Sequence, residues 1–208
     1  MDGIRTDSLN ELLSDAIRAG FRRIGQVAIE PIPDGFRLCH FDDVGREGLK
    51  IVTDPEAATA IALQDDRGAY RPLKTAPNLR HGWELRVTSI PELRLALDAL
   101  YPAALGNWRA TLTGRLSAVP LRETVNRQTG MYRITGKISE DQAVSLRETL
   151  CKPGCLRRIL WSVEPAGDPP PAAEPAPYEI PLLCAEACNL YVAAARKVVK
   201  GIPLDQVE

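Results

Sequence analysis

Two cysteine pairs constrain this chain more than any other feature: Cys151 with Cys155, then Cys184 with Cys188, each separated by three residues. Between the pairs, residues 164–178 hold Pro165, Pro169, Pro170, Pro171, Pro175 and Pro177 and almost no apolar bulk. An extended, polyproline-like linker is expected there, a tether that packs poorly. Any centre built from all four sulfurs must therefore join both sides of it. Residues four apart on a helix share a face, with Cβ atoms about 6 Å apart, close enough for two sulfurs to ligate one polynuclear centre. Cys184-Ala-Glu-Ala-Cys188 suits that geometry, and the pattern predicts a last helix over residues 181–200, with Pro181 early and Arg196, Lys197 and Lys200 near its end. Its positive end would lower the pKa of the thiols in its first turns. Cys151-Lys-Pro-Gly-Cys155 cannot be regular helix, since Pro153 and Gly154 break it after Cys151 and leave backbone N–H groups free to donate to sulfur.

Four thiolates can hold a [4Fe–4S] cluster, a [2Fe–2S] cluster or a zinc ion, and spacing separates these only in part. Zinc knuckles favour two-residue gaps, whereas three-residue gaps on a helix suit the wider footprint of a cubane. Lys152, Arg157 and Arg158 place three cations and no acid in residues 151–163, which would offset the negative charge of a thiolate-ligated cluster. Thiols without a metal remain the plain alternative. The fifth cysteine, Cys39, sits in an alternating apolar stretch and reads as a small core residue. His40 and His81 are the only histidines, far apart in sequence, and they form no recognisable metal motif. Asp42-Asp43 and Asp65-Asp66 read as solvated turns.

The rest of the 208 residues read as α+β. Leu9, Leu12, Leu13, Ile17 and Phe21 give residues 8–21 a helical period. Residues 26–32 and 36–41, divided by Pro33-Asp34-Gly35, form the clearest hairpin signal. Asp54-Pro55-Glu56 opens a short helix that stops before Asp65-Asp66-Arg67-Gly68. Residues 83–87 alternate like a half-buried strand, and Ser89-Ile90-Pro91-Glu92 and Ser139-Glu140-Asp141-Gln142 are capping boxes, the second opening a helix that delivers the chain to Cys151. A second apolar stretch runs from Pro102 to Leu112. Residues 119–135 are ambiguous between helix and strand. This divides the chain into an α+β domain at 1–138, with mixed helices and strands and a β-hairpin, and a mainly helical, cysteine-ligated region at 139–208.

Composition narrows the function classes. Lys and Arg number 26 against 27 Asp and Glu, which lacks the basic excess of a nucleic-acid binder. Charges or prolines interrupt every apolar stretch before membrane-spanning length, and the polar start does not resemble a secretory leader, so a cytoplasmic location is expected, where thiols stay reduced. Nucleotide loops and the HExxH and GxSxG motifs are absent.

The runs Cys151-Lys-Pro-Gly-Cys155-Leu-Arg, Leu160-Trp161 and Pro181-Leu-Leu-Cys184-Ala-Glu-Ala-Cys188-Asn resemble the iron–sulphur domain that accompanies small sirohydrochlorin cobalto/ferrochelatase modules in multidomain bacterial proteins. Tyr70-Arg-Pro-Leu73, Gly82-Trp83, Ala99-Leu-Tyr101-Pro-Ala-Ala and Arg127-Gln-Thr-Gly-Met131-Tyr132 extend the resemblance upstream in the same order, so that it covers the chain from about Leu12 to Arg196. It implies a [4Fe–4S] cluster held by Cys151, Cys155, Cys184 and Cys188, with zinc as the alternative. It further implies an accessory portion without the chelatase module itself, for which the chain has neither the length nor an evident histidine pair. Two functions follow as expectations: a redox or accessory protein of siroheme or cobalamin metal chelation, with a sirohydrochlorin-type chelatase or a redox protein as partner, or a non-catalytic structural or docking module. Neither makes the chain a stand-alone enzyme. A ferric-siderophore reductase would require an adjacent-cysteine pattern that is absent.

Overall fold

The computed structural model describes residues 3–63, 79–121, 123, 137–151, 155–162, 176–184 and 187–203. The fold class is α+β. Internal contacts divide the chain into two units, Met1–Leu116 with Pro175–Leu182, and Ser117–Glu174 with Leu183–Glu208.

In the first unit, α1 (Gly3–Arg18) buries Leu13, Ala16 and Ile17, the face marked by its apolar period. The strand β1 (Arg23–Ile24) turns through Gly25-Gln26 into β2 (Val27–Ile32), which pairs antiparallel with β3 (Gly35–His40) through the two-residue connection Pro33-Asp34. Gly35 has φ +137°, and a Cβ there would lie 2.1 Å from the Val87 carbonyl oxygen, so this corner admits no side chain. A 3-10 turn at Phe41–Asp43 follows, then β4 (Lys50–Val52), α2 (Ala58–Ala62) and β5 (Trp83–Val87). With β9 (Glu179–Ile180) these strands form one sheet in the order β4-β5-β3-β2-β1-β9, in which β4·β5 and β1·β9 are parallel. Helix α3 (Ile90–Leu100), capped by Ser89, packs against α1, α2 and α4 (Ala104–Leu112) and buries Leu93, Ala96, Leu97 and Leu100.

The strand β5 does not alternate as its sequence suggests: Trp83, Glu84, Leu85 and Val87 are all buried, because β5 lies between β4 and β3. Glu84 is tolerated there since Arg37 and Arg86 each donate to its carboxylate at 2.7 Å. Burial pushes this carboxyl up, but the two guanidinium bonds outweigh it and hold Glu84 below the usual carboxylate range.

In the second unit, β6 (Val119–Pro120) pairs parallel with β8 (Trp161–Ser162), and β7 (Arg157–Ile159) pairs with β10 (Leu182–Cys184). Its helices are α5 (Glu140–Cys151) and α6 (Asn189–Val199), which pack on each other. The capping box of α5 is reciprocal: Gln142 N donates to Ser139 Oγ at 3.2 Å, and Ser139 N donates to Gln142 Oε1 at 3.0 Å. Leu121, Ile138, Leu146, Trp161, Tyr191, Val192, Ala195 and Val198 are among the residues of its core. Burial of Leu121 and Ile138 in that core places the division at Leu116/Ser117, upstream of the expected 138/139.

The expected helix over residues 181–200 is shorter and starts later. Residues 179–184 are extended instead, and Pro181, which has no N–H, separates β9 from β10. Ile180, Leu182, Leu183 and Cys184 are all buried, and a short, wholly buried apolar run carries no period by which helix and strand can be told apart. Several expectations fall outside the described residues: the Asp65-Asp66 turn, the Tyr70–Leu73 and Arg127–Tyr132 runs, most of residues 119–135, Lys152-Pro153-Gly154, and the linker up to Pro175. Among the described residues, no helix is long and apolar enough to cross a membrane.

Candidate metal centre

Four elements of the second unit end at or beside a cysteine. Cys151 is the last residue of α5, Cys155 lies two residues before β7, Cys184 is the last residue of β10, and Cys188 is the N-cap of α6. All four are free thiols; Cys184 is buried and the other three are half-buried. Cys184 belongs to the apolar core, and Cys151 and Cys188 pack against it.

Electrostatics link the sulfurs. Burial first, then the neighbouring Cys155, Cys188 and Cys184, push the Cys151 thiol up to about 12, while Arg147 opposes them. Burial likewise raises the Cys184 thiol; the Arg157 guanidinium, which is hydrogen-bonded to it, opposes this, and Cys188 and Cys155 raise it again. Thiols that raise one another in this way are neighbours, and a cationic centre bound to them would relieve the effect.

Two donors already point at sulfur. Arg157 is one, which fulfils part of the charge compensation expected of Lys152, Arg157 and Arg158. The other is the Tyr191 backbone N–H, which donates to Cys188 Sγ at 3.5 Å, so the thiol does the work of an N-cap oxygen. Thus the dipole end of the last helix faces Cys188 alone, and Cys184 sits on a strand rather than in a first helical turn. Behind the sulfurs, Trp161 and Tyr191 meet edge to face at 5.4 Å, and Tyr191 Oη donates to the Ala143 carbonyl at 3.1 Å. Both aromatic rings are core residues. The donor chemistry, soft thiols beside apolar core residues and the Arg157 guanidinium, fits an iron–sulphur cluster.

Cys39 lies in the first unit, on β3, with 3% of its surface exposed. The histidines behave differently from their reading in sequence. His40 and His81, which form no motif, lie with ring centroids 3.9 Å apart, because β3 and β5 are paired neighbours and the two residues flank the same end of that pair. Burial, and then His81, push the His40 imidazole below its usual value.

Comparison with known proteins finds two families along the chain. Residues 9–112 match the family described as the DR2241 stabilising domain, and residues 113–197 match the 4Fe-4S iron-sulfur cluster binding domain. No curated protein matches the chain. Among solved structures, DR2241 from Deinococcus radiodurans is similar, with 31% sequence identity over 93% of this chain and a TM-score of 0.71. This chain spans 42% of that one, which is described as a multi-domain protein with structural similarity to chelatases and two additional novel domains.

Proposed function

Because the chain belongs to the family of the DR2241 stabilising domain and carries a 4Fe-4S iron-sulfur cluster binding domain, we propose that it holds a [4Fe–4S] cluster on Cys151, Cys155, Cys184 and Cys188. In this reading it works as the accessory, electron-handling part of a chelatase system for tetrapyrroles of the siroheme or cobalamin type. The observation that supports the reading is that Cys155, Cys188 and Cys184 all bear on the Cys151 thiol, so that four free thiols of one unit act on one place. A bound cluster supplies one-electron transfer. The chain's own residues set its environment: Arg157 places a positive charge on Cys184, the Tyr191 N–H holds Cys188, and the core around Trp161 and Leu146 limits water. The likeness of DR2241 to chelatases supports a chelatase-type partner, and a separate redox protein is the alternative.

A second reading has its own support. Three of the four cysteines lie in or against the core of the second unit, where a centre would pin β10 and α6 to α5 without moving electrons. The two readings part on one measurement. Protein purified without oxygen should be brown, with about four iron and four sulfide per chain, and should show a reversible one-electron couple. Colourless protein with about one zinc and no sulfide would overturn the cluster; a cluster that no reductant reduces would leave the structural module.

A further inference from the structure

A second cluster of metal-ligating side chains lies in the first unit, with no part in the cysteine site. Antiparallel pairing of β3 and β5 puts Cys39 opposite Glu84, so His40, at the end of β3, and His81, just before β5, meet at one edge. Asp43, 2% exposed, locks the corner: its Oδ2 accepts from Gly82 N at 2.7 Å and its Oδ1 from Arg46 at 2.9 Å. A ring nitrogen of His40, one of His81 and a carboxylate oxygen of Asp42 all lie within 4.8 Å of one another. His81 is backed by a carboxylate, its Nδ1 lying 3.7 Å from Asp43, whereas His40 Nδ1 lies 3.6 Å from the Asp42 carboxylate itself.

His40 is 1% exposed, and its Nδ1 accepts from Asp42 N at 3.2 Å, so the ring proton is on Nε2, which is buried without a hydrogen-bond partner. The Nδ1 lone pair, on the Asp42 side of the ring, is the one an ion would take in place of that 3.2 Å bond. We infer that His40, His81 and Asp42 form a second metal site, for a divalent first-row transition ion such as Zn²⁺ or Co²⁺. Imidazole with carboxylate is the donor set such ions take, and carboxylates behind ligating histidines fix their rings. His40 forms the floor, whereas Asp42 and His81 are exposed, so the ion keeps open positions for water and exchanges readily. Two neutral imidazoles and one carboxylate leave the dication one positive charge in excess, which the exposed position leaves to solvent and counterions.

The test uses the whole protein as purified without oxygen, with the cysteine centre filled. Titration with Zn²⁺ by calorimetry should show one added equivalent, and long-range ¹H–¹⁵N spectra should show both imidazoles shifting. His81→Ala and Asp42→Ala, both at exposed positions that leave the fold intact, should each weaken binding by more than tenfold with the cluster absorption unchanged. Asp43→Asn, which loosens the His81 ring and also weakens the bonds to Gly82 N and Arg46, should weaken it by about ten- to a hundredfold with the cluster absorption unchanged. No added equivalent, or an affinity unchanged in both His81→Ala and Asp42→Ala, would overturn the site.

Discussion

Cys184 and Cys188 differ in what they are bonded to, and the difference makes their substitutions distinguishable. Serine at any of Cys151, Cys155, Cys184 or Cys188 should abolish or destabilise the cluster, read as lost iron and visible absorption, whereas Cys39→Ser should leave both intact. At Cys188 the thiol is also a helix cap, and serine is a good cap. Cys188→Ser and Cys188→Ala should therefore both lose iron, but only the alanine variant should lose about a further 1 kcal/mol of apo-protein stability. Arg157→Gln removes a cation from Cys184 and should shift the reduction potential to more negative values and speed loss of the cluster in air; an unchanged potential would show the cation to be screened. In the first unit, Glu84 links stability to pH. Its carboxyl is held below the usual range in the folded state, so its contribution is complete above the unfolded-state value and is lost as pH falls through the folded one. Glu84→Gln should cost most near pH 7 and progressively less toward pH 3 in denaturant melts. The sulfur spacing and the cationic run were readable from sequence, as was the burial of Cys39. The histidine pair was not, because it depends on which strands become neighbours, and no local pattern records that.

Hairpin, caps and chain breaks are local chemistry, and they follow from the residues that make them. Pro33-Asp34 makes the β2–β3 connection, Ser89 caps α3, Ser139 and Gln142 cap α5 reciprocally, and α5 ends at Cys151. Residues 179–184 misled the reading for a physical reason: an all-buried run has no polar face to reveal its period. β5 illustrates the same blindness, since only the partners Arg37 and Arg86 explain a buried Glu84. The pairing of α5 with α6 gives a sharper test. Tyr191→Phe removes the O–H donated to the Ala143 carbonyl while keeping the ring against Trp161. It should cost about 1 kcal/mol, read as a lower midpoint of unfolding for the second unit. A midpoint unchanged by the substitution would mean that ring packing, not the hydrogen bond, joins the two helices.

The order of the chain through the two units decides how loss of the metal centre should spread. The chain leaves the first unit at Leu116, returns for Pro175–Leu182, and leaves again at Leu183. That return carries β9, whose residues Glu179 and Ile180 pair with Arg23 and Ile24 of β1. Ile180 is fully buried, and Glu179 is nearly so. Removing the metal restores repulsion and desolvation among four thiols of the second unit only, so α5, β10 and α6 lose a cross-link there while the six-stranded sheet loses nothing. Most secondary structure should survive in the apo protein. Hydrogen exchange on holo and apo samples should show faster exchange from Cys151 to Ile159 and from Cys188 to Val199, with the backbone of Glu179 and Ile180 as protected as before. Protease should cut the apo form first between the two cysteine pairs, where proline-rich sequence offers little packing. Equal protection of α6 in both forms would show that the centre holds nothing in place. Loss of protection at Ile180 together with α6 would show that the units unfold as one, and that the short β1·β9 ladder does not anchor the returning segment by itself.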